Sequence, residues 1–274
     1  MNSMKTPRDA RVRVLVLGGW SPGPLAHLRE QFAESCVFVE PALHMPPHGV
    51  RWCCTWEFLL LAVAAFSALK ALALPGWWKL ALSLPALAIL PILVRLLVRG
   101  SIRRSVAAAT AAHVEHVEVV VGFSWGGGVA CWLLANGASE EEEDGGRSLG
   151  AAQEWLLLAP TLDAMASAAG LPPRSRPDVR LGIERATFAL LDDEDEGRDS
   201  DGAGPGAATS CNVHIIHAAN DPFCPDAQLR ALQATRASMH VCRDAHTLDS
   251  PWTLDEVARV FAGLLELARR RRTW

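Results

Sequence analysis

The sequence predicts an α/β protein built on a doubly wound, mostly parallel sheet, interrupted by a hydrophobic helical-hairpin insertion. Three observations predict it. Short β-branched runs alternate with segments of helical periodicity. One such run leads straight into a glycine-rich turn, GFSWGGG, at residues 122–128. The alternation breaks off for a strongly apolar stretch over residues 56–98. A chain of 274 residues can bury a full core without disulfides or structural metal. The organisation expected is therefore one α/β domain, residues 1–43 and 101–274, split by an insertion at 44–100.

The run VRVLVL at 12–17 ends in Gly18 and Gly19 and reads as a buried strand entering a tight turn. Residues 25–35 place apolar side chains at helical spacing and 36–39 form a second strand, which completes a βαβ unit. After the insertion, a helix is expected over 102–113 and a strand over 117–121, followed by a helix running through Leu134. Further strands are expected at 155–158, 213–217 and 239–242, with helices at 162–169 and 254–270. The acidic tract SEEEEDGG at 139–146 reads as a solvated loop. Residues 171–210, rich in proline, glycine and acids, read as a cap segment with a disordered stretch.

Pro75 and Gly76 divide the apolar stretch into arms at 56–74 and 77–98. Each is close to the ~20 residues that cross a ~30 Å hydrocarbon layer. Trp77 and Trp78 fall at the turn, while Arg51, Arg95, Arg99, Arg103 and Arg104 gather at the other end, as the flanks of a membrane hairpin with a cytosolic base would. Glu57, Lys70, Pro85, Pro91 and Arg95 suit instead an interfacial segment or a lid over a lipid-binding cleft. A third reading buries both arms as core helices. A hydrophobic fraction of 50% and a mean hydropathy of +0.15 favour apolar surface destined for lipid. The location expected is membrane-associated, with the rest of the chain facing the cytosol.

A net charge of -4 argues against nucleic acid as a partner. The cluster from Arg269 to Arg272 reads as a solvated helix end complementing the helix dipole, with a membrane-surface or targeting role as the alternative. Seven cysteines at irregular spacing, without an evident secretory leader, predict neither a disulfide framework nor a zinc site, and a reducing compartment. Cys53 and Cys54 read as small apolar residues or as acylation sites. No cofactor is expected.

The chemistry concentrates at Ser124. Gly122-Phe123-Ser124-Trp125-Gly126 fits G-x-S-x-G and lies between a predicted strand and a predicted helix, the context in which a serine is held in a strained turn and presented to substrate. The alternative is a turn whose glycines merely supply positive φ. An alcohol needs a base to become a nucleophile, and the base needs a carboxylate to orient it. Asp221, just past the strand at 213–217, and His246, on the loop before the final helix, occupy those places in chain order. Asp226 and Asp163 are the substitutes for the acid. His214, His217 and His240 belong in or beside strands, and His113 and His116 precede the motif strand. Backbone N–H donors for a tetrahedral oxyanion are expected from Trp125 and, on the loop after the first strand, from Trp20, with Ser21 as its alternative.

Together these segments resemble the α/β-hydrolase superfamily. LVLGGW stands where many members have a strand ending in His-Gly, GFSWGG stands at the nucleophile elbow, AANDPFCP resembles the acid loop and DAHTL the histidine loop. The elbow is also similar to those of dienelactone hydrolases and acyl-protein thioesterases. Gly18 replaces the usual histidine. The resemblance covers about 12–31 and 117 onward and leaves 44–100 uncovered. It implies a sheet of the α/β-hydrolase type and a serine hydrolase acting on a carboxylic ester or thioester, with a lipid-like or acylated substrate suggested by the insertion. An acyltransferase, or a non-catalytic membrane adaptor retaining the fold, is the alternative.

Overall fold

The computed structural model describes residues 11–46, 76–113, 117–136, 154–172, 213–219, 221–224 and 237–272, with isolated positions between 175 and 184 and at 233 and 235. Strands β1 (Val12–Leu17), β2 (Cys36–Val39), β3 (Val119–Phe123), β4 (Glu154–Leu158), β5 (Val213–Ala218) and β6 (Ser238–Cys242) form one sheet. Its order is β2-β1-β3-β4-β5-β6, and every pairing is parallel. The helices are α1 (Gly23–Gln31), α2 (Gly76–His113), α3 (Trp125–Asn136), α4 (Leu162–Ala168) and α5 (Pro251–Arg271).

The strands are near-continuous apolar runs because both faces of the sheet are covered. Alternate side chains point to opposite faces. Leu15, Leu17, Val120, Leu157 and Ile215 pack on one face beneath Val98 and Ile102 of α2, Val129 and Leu133 of α3 and Met165 of α4. Val14, Val16, Val121, Phe123, Leu156, Leu158 and Ile216 pack on the other, against Leu25 and Leu28 of α1 and Val257, Phe261 and Leu264 of α5. Each such side chain contributes about 1.5–3 kcal/mol by leaving water. Strand order reverses between β1 and β3, so a crevice opens there beyond the carboxyl ends of the strands.

Several elements shift by a few residues from the sequence expectation, α1 and α5 among them, and two differences bear on the site. β3 starts later and continues to Phe123, which places Ser124 at its very end. The helix expected at 102–113 and the second apolar arm are a single 38-residue helix, α2, without a break at Gly100. Trp77 and Trp78 lie in its first turn. Val98, Ile102, Ser105 and Ala109 are buried at helical spacing, whereas Ile92, Leu93, Leu96 and Leu97 are 43–55% exposed. Arg99 does not stand free at a membrane edge: its guanidinium donates to the carbonyls of Ala169 (2.8 Å) and Gly170 (3.0 Å), just beyond the end of α4. Among the described residues, no helix is long and apolar enough to cross a membrane. The first arm, Cys53 and Cys54, the acidic tract at 139–146 and most of 171–210 lie outside the described residues.

The C-terminal arginines are more than a solvated helix end. Arg271 pairs with Glu154 at 2.9 Å, and Arg272 pairs with Glu118 and donates to the carbonyl of Arg11 at 2.9 Å. Glu118 also accepts the Arg13 N–H at 2.9 Å. These contacts fasten the end of α5 to the amino-terminal edge of the sheet. Burial pushes Glu154 up to about 7, against the pull of Arg271. A carboxyl whose folded pKa lies above its ordinary 4.5 holds its proton more tightly when folded, so its stabilising effect is full below that value and is lost as pH rises through about 7. Melting temperature is accordingly expected to fall between about pH 5 and pH 8 in the wild type, and to fall less in Glu154→Gln, as read by circular dichroism.

Candidate active site

The motif serine sits where β3 turns into α3. Ser124 has φ 55°, in the left-handed region that non-glycine residues rarely adopt. Its N–H donates to Leu158 O at 3.0 Å, and its carbonyl accepts from Gly128 N (3.0 Å), Thr161 N (3.4 Å) and Thr161 Oγ1 (3.1 Å). Neither motif glycine has positive φ. A Cβ on Gly126 would lie 2.0 Å from Leu17 O, and one on Gly122 would lie 2.7 Å from Gly126 O. The glycines are thus required by the close approach of strand and helix, and the backbone strain falls on the serine itself.

Three distant stretches of chain meet at this turn. Ser124 Oγ is 2.7 Å from His246 Nε2, and His246 Nδ1 is 2.7 Å from Asp221 Oδ2. The Asp221 side chain is fully buried, and its Oδ1 accepts the Phe223 N–H at 2.8 Å. An ionised carboxylate can only accept, which assigns the imidazole proton to Nδ1 and leaves Nε2 as acceptor for the serine hydroxyl. The ring is held on two sides, edge-on to Phe223 (4.7 Å between centroids) and stacked with Phe123 (5.9 Å).

The histidine loop carries its own brace. Asp244 Oδ1 accepts Ala245 N at 2.7 Å and Oδ2 accepts Ser250 N at 3.0 Å, while Ser250 caps α5. Burial raises the Asp244 carboxyl, but hydrogen bonds from Ser250, Thr253 and Ala245 outweigh it and hold its pKa below the ordinary value.

Ser124 and His246 border a cavity of about 350 Å³ whose remaining walls include Trp20, Val98, Trp125, Ala164, Met165, Ala168 and Phe223. Its lining is chiefly apolar. Trp20 and Trp125 lie side by side there, ring centroids 5.5 Å apart, and Ser21 lines the same cavity. The 18–20 loop presses on the elbow, since a Cβ on Gly19 would lie 2.7 Å from Ser124 Cβ.

Of the substitute residues, Asp163 pairs with Arg176 at 3.3 Å and Asp226 lies outside the described residues. His240 bonds Glu256 (2.8 Å) and Ser238 (3.2 Å), and its ring stacks on His214. His217 is buried in β5. His116 lies outside the described residues. Sequence reasoning missed Thr161, Phe223 and Asp244. Asp244, two residues before His246, and Phe223, two after Asp221, were open to inspection; Thr161 reaches the elbow only through the pairing of β3 with β4.

No family model matches the chain, and no curated protein matches it. Solved structures similar to it include a "putative hydrolase" from Agrobacterium vitis S4, at 19% identity over 94% of this chain and 89% of that one, with a TM-score of 0.46. Another comes from work on LipS and LipT, two metagenome-derived lipolytic enzymes, at 14% identity over 94% of both chains, with a TM-score of 0.44. The fold class rests on the sheet itself. Its strand order, the elbow after β3, and an acid and a histidine on the loops after β5 and β6 give a fold of the α/β-hydrolase type.

Replacing Asp244 by alanine removes the acceptor for two backbone N–H groups, and is expected to cost about 1–3 kcal/mol in urea unfolding. Gly126→Ala, which cannot fit beside Leu17 O, is expected to yield no soluble folded protein on size-exclusion chromatography.

Proposed function

We propose that this chain is a serine hydrolase cleaving a carboxylic ester or thioester of a lipid-like or acylated substrate. The observation that carries the reading is the unbroken Ser124–His246–Asp221 relay, with 2.7 Å at each step, opening on an apolar cavity. In this reading Ser124 Oγ attacks the substrate carbonyl while His246 Nε2 takes its proton, and Asp221 stabilises the resulting imidazolium. The negative charge formed on the carbonyl oxygen is met by the backbone N–H groups of Trp125 and Trp20. His246 then protonates the leaving group, and water activated by the same imidazole releases the acyl group from Ser124. The apolar walls favour a hydrocarbon chain near the reacting carbonyl, and about 350 Å³ favours a compact one.

A fluorophosphonate probe is expected to label the wild type and not Ser124→Ala, with His246→Ala labelled far more slowly. Asp221→Asn is expected to lower kcat by roughly 10⁴-fold, because the imidazole then rests in the wrong tautomer. Absence of labelling in the folded wild type would leave an adaptor that keeps the fold without the chemistry. Product analysis with a competing alcohol separates hydrolysis from acyl transfer.

Contact with lipid through residues 56–98, with the catalytic domain on the cytosolic side, belongs to the same proposal. It is supported by the apolar composition of that stretch and by the exposed Ile92, Leu93, Leu96 and Leu97. The chain is expected to sediment with membranes. Release by alkaline carbonate indicates interfacial attachment, retention indicates insertion, and a chain that never sediments contradicts the proposal.

A further inference from the structure

We infer that Ser105 and the segment 44–46 are positioning elements of the oxyanion hole, acting through the paired indoles of Trp20 and Trp125; the inference rests on the serine-hydrolase reading above. Trp125 is 2% exposed, and its Nε1–H donates to Ser105 Oγ at 3.3 Å. Ser105 is itself fully buried on α2, and its hydroxyl donates onward to His44 O at 3.2 Å. Trp20 Nε1–H donates to Pro46 O at 3.1 Å. The two rings touch at a tilt of 54°. Both residues assigned as oxyanion donors are therefore tied, by separate hydrogen bonds, to one short stretch of backbone where the sequence passes into the apolar insertion.

The physical consequence follows from geometry. Donor N–H groups act only when they stand about 2.7–3.1 Å from the place the oxyanion will occupy. Trp125 follows the strained serine directly, and Trp20 sits on a loop without regular secondary structure. Fixing each indole limits rotation about its Cα–Cβ bond and the drift of the amide attached to it. Ser105 is suited to the task because one hydroxyl accepts from the indole and donates to a carbonyl at once. α2 supplies both that hydroxyl and Val98 on the cavity wall. Helix α2 is in this way a working part of the site.

Ser105→Ala, Trp125→Phe, Trp20→Phe and the Ser105→Ala/Trp125→Phe double variant of the full chain test this with p-nitrophenyl butyrate, alongside thermal melts. Each single variant is expected to lose about 10- to 100-fold in kcat with KM within about twofold, less than or comparable to outright removal of an oxyanion donor. Binding of a trifluoromethyl ketone, which forms the tetrahedral adduct, is expected to weaken by the same factor as kcat. The double variant is expected to lose no more than the worse single variant, because both remove one hydrogen bond. Trp125→Phe leaves no indole N–H unpaired, so it reports on positioning even where Ser105→Ala lowers the melting temperature. Unchanged kcat in the three single variants, or losses that multiply in the double, overturns the inference while an active wild type upholds the hydrolase reading. A folded wild type that neither hydrolyses the ester nor reacts with the probe overturns both.

Discussion

The close passage of β3 and α3 across the end of β1 is the constraint on which the site depends. With Gly126 so near Leu17 O that no side chain fits, the turn between strand and helix is too sharp for Ser124 to adopt ordinary φ. The cost of that conformation, of order 1–3 kcal/mol, is offset by the hydrogen bonds to Leu158, Gly128 and Thr161 that hold its peptide groups. The same sharp turn lifts the hydroxyl toward the loops after β5 and β6, where His246 and Asp221 wait. Sheet order then does the rest, since neighbouring parallel strands deliver their following loops to one edge.

Much of this was legible in the sequence because the signals were local. The runs VRVLVL at 12–17, VEVVV at 117–121 and VHIIH at 213–217 read as strands, and strands stand there with bounds shifted by at most two residues. Ser124, Asp221 and His246 follow strands in the chain order of this fold, so their convergence could be anticipated from topology. That Gly122 and Gly126, two before and two after Ser124, leave room for strand and helix to pack closely was legible from the motif, whereas the atoms they meet on Leu17, Ala130 and Gly127 are set only by the fold. The extent of α2 was misjudged because the apolar arm was ended at 98 and a separate helix begun at 102, whereas one helix runs through Pro85, Pro91 and Gly100. The partners of Arg99, Arg271 and Arg272 were hidden for another reason. A basic residue's composition says nothing of which carboxylate or carbonyl the fold will bring to it, and Glu154 is 117 positions from Arg271 in the chain yet 2.9 Å away in space.

Charge is distributed with a sense of direction along the strands. At the amino-terminal edge, Glu118 and Glu154 meet Arg271 and Arg272 and secure the closing helix. At the carboxyl edge, the buried Asp221 meets an imidazole. Arg271, Arg272 and Glu118 stay partly exposed, so ion pairs of the first kind add little net stability. In the proposed reaction the second kind stabilises the imidazole when it becomes charged. Helix α2 reaches this second edge through Val98 on the cavity wall and Ser105 beneath Trp125, so its exposed apolar surface and a wall of the cavity belong to one helix.

In the proposed reaction Ser124 becomes covalently acylated. Rapid mixing of the protein with a p-nitrophenyl ester, acid quenching and peptide mass spectrometry tests it most directly. A burst of nitrophenol and an acyl adduct confined to the peptide bearing Ser124 are expected. Steady ester turnover with no adduct on that peptide, or turnover undiminished in Ser124→Ala, would contradict it.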